Sequence, residues 1–245
     1  MKFLYVWTFL FLIGCNSEDG SDCFKKQGTS ITQEIFVEPF TKINIGKGIE
    51  LIIEESDEES VKIIAGRNLI NDVKVEVING ELFAKDENGC EIMRNTFTAK
   101  LFVSVPNLER IYSSSQFSVR SDGVLTFPHL ELVSGIITED SPASVFDLEI
   151  NNESLTINDN VSSVFKIKGH TQNLTVNFWG SNGRFEGANL HAEEITVFHR
   201  STNDMIVFPL QKISGTLYST GNMILKNLPP EIDLTQVYTG QVIYP

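Results

Sequence analysis

Three cysteines, four histidines and a few carboxylate clusters are the residues of this 245-residue chain that could do covalent, metal or acid–base chemistry. The histidines stand at 129, 170, 191 and 199, with no pair at zinc-ligand spacing. They read as surface residues. Glu54 to Glu59 holds carboxylates at every position but Ser56, the oxygen ligands that Ca²⁺ prefers. It lacks the spacing of a calcium loop, so it reads as a solvated turn between strands. Asp147 and Glu186 share a row with Lys166 between them, which is charge balance rather than an acid–base pair. Asp159 and Asp204 stand alone. Neither a Gly-x-Ser-x-Gly elbow nor a phosphate-binding loop occurs. The expectation is no catalytic residue, no metal and no cofactor. Two places suit non-covalent binding. Trp179 follows Phe178 directly in Asn177-Phe178-Trp179-Gly180, so one of the two must face outward from a strand. An exposed Trp can stack on a sugar or anchor a protein partner, or simply pack over Gly180. Glu139 and Asp140 lie in Thr138–Pro142, a predicted acidic loop. Tyr112 and Tyr218 are weaker candidates.

The cysteines divide by context. Phe3 to Ile13 is an apolar run after Lys2, too short to span a bilayer as a helix and suited to a signal-peptide core. Leu12-Ile13-Gly14-Cys15 follows and resembles the lipobox of bacterial lipoproteins. That resemblance implies a diacylglycerol on the Cys15 sulfur, cleavage before Cys15 and acylation of the new amine, an anchor of several acyl chains. The polar stretch Asn16 to Asp22 reads as a flexible tether; its acidic residues resemble surface-export signals of Bacteroidetes lipoproteins. With Cys15 acylated, Cys23 and Cys90 are the remaining pair, and an envelope compartment permits a disulfide between them.

A formal net charge of −13 argues against nucleic acid, whose binding needs phosphate neutralisation by Lys and Arg. It also argues against electrostatic docking on an anionic lipid surface. With 41% apolar residues the chain can fill a core.

From residue 31 the sequence alternates apolar and polar residues, the mark of half-buried strands: Lys42–Ile45, Ile49–Ile53, Val61–Ile64, Val73–Val77, Leu82–Ala84 and Lys100–Val105. Asn79-Gly80 predicts a two-residue hairpin. No stretch has a helical period. Several short motifs occur here in a telling order: Asp22-Cys23-Phe24, Pro39-Phe40-Thr41-Lys42-Ile43, Gly66-Arg67-Asn68-Leu69, Asn79-Gly80-Glu81-Leu82, Asn88-Gly89-Cys90 with Arg94, and Val103-Ser104-Val105-Pro106-Asn107-Leu108. In this it resembles the head GIN-domain family (domain of unknown function 2807), proposed auto-transporter adhesins common as Bacteroidetes lipoproteins. The Gly-Ile-Asn of that family falls at Gly48-Ile49-Glu50, with Glu in place of Asn. The resemblance implies an all-β fold, a right-handed β-helix or β-solenoid like that of pectin lyases, with adhesion as the role and no catalytic residues.

Beyond residue 107 one pattern recurs about six times, anchored at Leu108, Leu130, Leu155, Leu174, Ile195 and Leu217. A period near 20 residues is that of a solenoid. In this register Phe146, Phe165 and Phe185 stack inside, as do Leu132, Ile157, Val176 and Val197. Outside, Thr156, Thr175 and Thr196 form a row, Asn158 and Asn177 an amide pair, and Asp147, Lys166 and Glu186 a row of alternating charge. The longest interval places its excess at Thr138–Pro142.

The predicted organisation is a signal peptide at 1–14, a lipidated tether at 15–30 and one β domain at 31–245. Within it, 31–106 is a β-strand cap region, 107–228 the repeats and 229–245 a C-terminal cap. The favoured function is a non-enzymatic outer-membrane lipoprotein, facing the cell surface or the periplasm, that presents its solenoid to a glycan or protein as an adhesin or binding scaffold. A polysaccharide-active β-helix enzyme and a structural envelope protein without a ligand are the alternatives.

Overall fold

Alternating β-branched and polar residues write strands along nearly the whole chain, and the computed structural model describes residues 27–87, 99–135, 143–180 and 182–245. The strands are β1 (Ser30–Ile35), β2 (Lys42–Ile45), β3 (Ile49–Glu55), β4 (Ser60–Gly66), β5 (Val73–Ile78), β6 (Glu81–Asp86), β7 (Ala99–Val105), β8 (Arg110–Ser113), β9 (Ser118–Leu125), β10 (His129–Ser134), β11 (Val145–Asp159), β12 (Val164–Phe178), β13 (Arg184–His199), β14 (Met205–Leu217), β15 (Met223–Leu225), β16 (Glu231–Gln236) and β17 (Val242–Ile243).

Parallel pairing stacks them into an unclosed solenoid with two sheets over one core. The first sheet runs β5, β6, β2, β8, β10, the second halves of β11 to β14, then β16. The second runs β1, β4, β7, β3, β9, the first halves of β11 to β14, then β15 and β17. Each coil is a first-sheet strand, a tight corner and a second-sheet strand. Strands β11 to β14 are long because each closes one coil and, after a bend, opens the next. Gly169 makes that bend in β12 at φ +111°; a Cβ there would lie 2.0 Å from the Ile150 carbonyl oxygen.

The N-terminal region is more than a cap. Its β2–β3 coil lies between the coil of β6 and β7 and that of β8 and β9. Among the described residues, only β1, β4 and β5 run against the direction of the coils, and they close this end. Asn79 and Gly80, at φ 52° and 75°, turn the hairpin between β5 and β6 as the sequence predicts. At the other end, residues 229–245 hold β16 and β17, which pair in parallel with the coil before them. Among the described residues, β16 pairs only with β14 and β17 only with β15.

The inner rows explain the stability of the stack. One runs Leu101, Leu51, Val119, Phe146, Phe165, Phe185, Met205, Met223, all buried. The Phe146 and Phe165 rings stack at 4.7 Å and 13°, a geometry that adds about 0.5–1.5 kcal/mol beyond burial. The facing row runs Leu82, Ile43, Ile111, Leu132, Ile157, Val176, Val197. Two anchors differ from the sequence reading. Ile213, not Leu217, stands opposite Ile195, and Arg110 opposite Glu131 leaves Leu108 one position out of line with Leu130. Ile213 and Leu217 satisfy the same local pattern, and only the pairing chooses between them.

Phe165→Ala removes a ring packed between two coils and should destabilise the chain by about 3–5 kcal/mol. Thr175→Ala, on the outer face of the adjacent sheet, should change stability by less than about 1 kcal/mol. Denaturant midpoints of the two variants check this.

Candidate binding site

The tight corners position the exposed side chains. Six positions separate Ile45 from Leu51, Ser113 from Val119, Asp159 from Phe165, His199 from Met205 and Leu217 from Met223, the pairs of inner residues that flank each corner. Three spans are longer: seven positions from Phe178 to Phe185, twelve from Ser134 to Phe146 and seventeen from Ala84 to Leu101. Trp179 begins the first of these. Strand alternation turns Phe178 fully inward and leaves Trp179 44% exposed.

Trp179 does not stand alone. Its ring lies 4.8 Å from that of Phe198, and Phe198 lies 4.7 Å from Tyr218, itself 41% exposed. Three coils thus contribute one aromatic strip beside a corner. Phe198 was missed in the sequence because it aligns with Asn177, not with another aromatic; Tyr218 was noted singly. Next to the strip, the Asn177 amide donates to Asn158 Oδ1 at 3.1 Å and the Asn158 amide to Glu131 Oε1 at 2.8 Å. Thr156, Thr175 and Thr196 align as expected and continue to Ser214. Asp147, Lys166 and Glu186 also align, yet the ion pairs form elsewhere, Lys168 to Glu149 at 2.9 Å and Arg184 to Glu186 at 2.8 Å.

Behind the corners the interior is polar. Ser113 and Ser144 hydroxyls meet at 2.8 Å, and those of Ser134 and Ser163 at 2.7 Å. Ser144 donates to the Ser115 carbonyl and Ser201 to that of Gly183, each at 2.6 Å. These buried hydroxyls satisfy backbone groups that a corner leaves without a strand partner. Two ionisable groups share this interior, Asp159 and His199, both fully buried. Neither reaches a hydrogen-bond partner among the described residues. Desolvation pushes the Asp159 carboxyl up to about 7; the nearby Val161 and Ser163 offset this in part. Desolvation likewise pushes His199 down to about 4, against the pull of the Asn222 and Gly221 backbone and of Asp204. The sequence reading of His199 as a surface residue is therefore corrected: alternation from Val197 puts it inside. Phe178 stands between Asp159 and His199 in the row, so they form no proton relay.

The other expected sites are distributed as follows. Cys15, Cys23, Cys90, Glu139 and Asp140 lie outside the described residues, as does the whole Thr138–Pro142 loop. Within the acidic turn, Glu54 accepts from the Ser104 hydroxyl at 3.0 Å and Glu55 from the Thr126 hydroxyl at 2.5 Å. Among the described residues, no three His, Cys, Asp or Glu side chains come together as a metal site.

Stacked parallel coils, an exposed aromatic strip and buried structural polar groups define a β-solenoid. The chain belongs to the family described as "Putative auto-transporter adhesin, head GIN domain", whose model matches residues 39–229. Its fold is similar to that of a crystal structure described as a "putative adhesin" from Bacteroides fragilis, with 18% identity, a TM-score of 0.78, and 89% of this chain and 97% of that one covered. It is also similar to a "putative lipid binding protein" from Parabacteroides distasonis, with 16% identity, a TM-score of 0.65 and the same coverage. A "putative adhesin" from Parabacteroides merdae matches at 14% identity and a TM-score of 0.62, again over 89% and 97% of the two chains. A search of curated proteins finds no match.

The two buried groups give opposite pH slopes. Between about pH 4 and 7 the folded chain keeps Asp159 protonated while the unfolded chain ionises it, so stability falls as pH rises through that window. Between about pH 4 and 6.5 the unfolded chain protonates His199 while the folded chain does not, so stability rises with pH. The slopes largely cancel where they overlap. Asp159→Asn should leave the histidine slope, about 1.4 kcal/mol per pH unit at most, with stability rising from pH 4 to 6.5. His199→Leu should leave stability falling from pH 4 to 7. Urea midpoints across this range read both.

Proposed function

We propose that this chain is a lipid-anchored envelope protein that binds a partner at the cell surface by non-covalent contact, as an adhesin or binding scaffold. The observation that carries this is the Trp179, Phe198 and Tyr218 strip, an exposed aromatic surface on a face otherwise lined by Thr, Asn and charged residues. Exposed aromatics of this kind supply large contact area at low entropic cost and anchor glycans or proteins. The family description names adhesion and no reaction, and the similar folds come from Bacteroides and Parabacteroides. The Leu12–Cys15 lipobox supports export, removal of residues 1–14 and an acylated Cys15 on the outer membrane, with residues 16–30 as the tether of the β domain. A face turned outward, toward host or neighbouring cells, suits adhesion.

Two measurements test this reading. Cells displaying the chain should adhere to a surface of immobilised glycans and matrix proteins, and Trp179→Ala with Tyr218→Ala should reduce adhesion at least tenfold without lowering the melting temperature. Unchanged adhesion would remove the strip from the contact. Protease shaving of intact cells should release the chain, and Cys15→Ser should move it from the membrane to the soluble fraction; full protection from protease would rule out surface adhesion.

A further inference from the structure

The outer face of the second sheet has a break of its own. Strand β9 takes four positions, Arg120 to Val124, where its neighbour β11 takes two, Asp147 to Glu149. The surplus bulges out of the sheet. Gly123 allows the bulge at φ +89° with open space beside it, and Ser121 Oγ fixes it by accepting the Glu149 amide at 2.9 Å. The bulge walls a groove of about 530 Å³, within the size range of small-ligand sites.

The floor of the groove is apolar. Ile52 and Phe102 stand side by side in register and face outward, half-buried. Charges of both signs surround them, but the cations are committed. Lys100 lies 3.4 Å from Glu50, Arg120 hydrogen-bonds the same carboxylate, and Lys168 pairs with Glu149 at 2.9 Å. Asp122 and Asp147 also line the groove, and neither makes an ion pair within 4 Å among the described residues. The opening therefore offers an aromatic floor flanked by two carboxylates that can only accept hydrogen bonds. A ligand matching it must donate hydrogen bonds and present an apolar face. An anionic ligand would meet Asp122 and Asp147 directly, and the three neighbouring cations are outnumbered by the four carboxylates of Glu50, Glu149, Asp122 and Asp147.

We propose that this groove binds a neutral glycan, one pyranose laying its C–H face on Phe102 while its hydroxyls donate to Asp122 and Asp147. Surface display, as proposed above, gives such binding its role, whereas the binding itself is a property of the purified chain. Trp179 opens a corner at the end of β12, on the side of the other sheet, so the two contacts separate by mutation.

The test uses the full lipidated chain in detergent, titrated with maltotetraose, cellotetraose and N-acetylglucosamine tetramer, with a polyuronate tetramer and an oligolysine peptide in parallel. At least one neutral tetramer should bind, and the polyuronate and oligolysine should not. Phe102→Ala and Asp122→Asn should each weaken that binding at least tenfold, Trp179→Ala should leave it unchanged, and all three should melt within a few degrees of the parent. Failure of every neutral tetramer to bind, or preference for oligolysine, overturns the groove assignment. So does neutral-glycan binding that survives Phe102→Ala and Asp122→Asn. Cell adhesion through Trp179, measured separately, then stands or falls by itself.

Discussion

In-register parallel pairing between coils is the constraint on which this molecule depends. A single coil is two short strands and cannot bury its apolar residues. Stacking supplies the missing wall, because each inward residue meets its counterpart above and below. Strand side chains alternate with a period of two, so a slip of one position would turn Phe146, Phe165 and Phe185 to water and bring Asp147, Lys166 and Glu186 inside. The same pairing aligns the outer Thr and Asn rows. Their order is a by-product of the core, and it gives the molecule flat, repetitive faces on which any irregularity stands out.

The six-position spacing recurs from Ile45 to Met223, and the longer spans run from Ala84 to Leu101, from Ser134 to Phe146 and from Phe178 to Phe185. Within the strands the register also shifts at β9, at β13 against β12, and between β13 and β14. A solenoid can lengthen a corner or swell a strand without disturbing the core, since the added residues leave the stack rather than enter it. The surfaces proposed for binding lie where the repeat is broken. The interior of the corners serves the backbone instead. Serine hydroxyls hold the chain there, while Asp159 and His199 have no hydrogen-bond partner among the described residues and desolvation disfavours the charged form of each.

The inner Phe stack, the Thr row, the Asn pair and the β5–β6 hairpin were legible in the sequence. Each rests on alternation or on a turn dipeptide, signals that are local. Alternation required one of Phe178 and Trp179 to face outward without saying which, and the structure turns Phe178 inward. The position of the β2–β3 coil was not legible, because parallel pairing between distant segments leaves no turn signal between them. The anchor at Ile213 was obscured by Leu217, which satisfies the same pattern a few residues on. Phe198 was hidden for a related reason: the strip it completes crosses from one register row to another. His199 was misplaced because a polar residue at an inward position contradicts the pattern from which inwardness is read. The Ser121–Gly123 bulge left only Gly123 as a sign, and one glycine in a strand is a weak one.

The placement of β2 and β3 has a consequence for assembly. A solenoid can grow by adding each new coil to the last as the chain emerges. Here the coil that is made first ends up inside the stack, with one neighbour supplied by β6 and β7 and the other by β8 and β9. Beyond the local β5–β6 hairpin, the coils before Leu125 close together, across sequence separations that slow this step. The coils after it add one at a time onto a finished template. The molecule is in this sense directional, with a cooperative nucleus at one end and an extensible array at the other. Loss of coils from the C-terminal side shortens the protein, whereas loss of a strand from the N-terminal side removes the seed on which the rest is built.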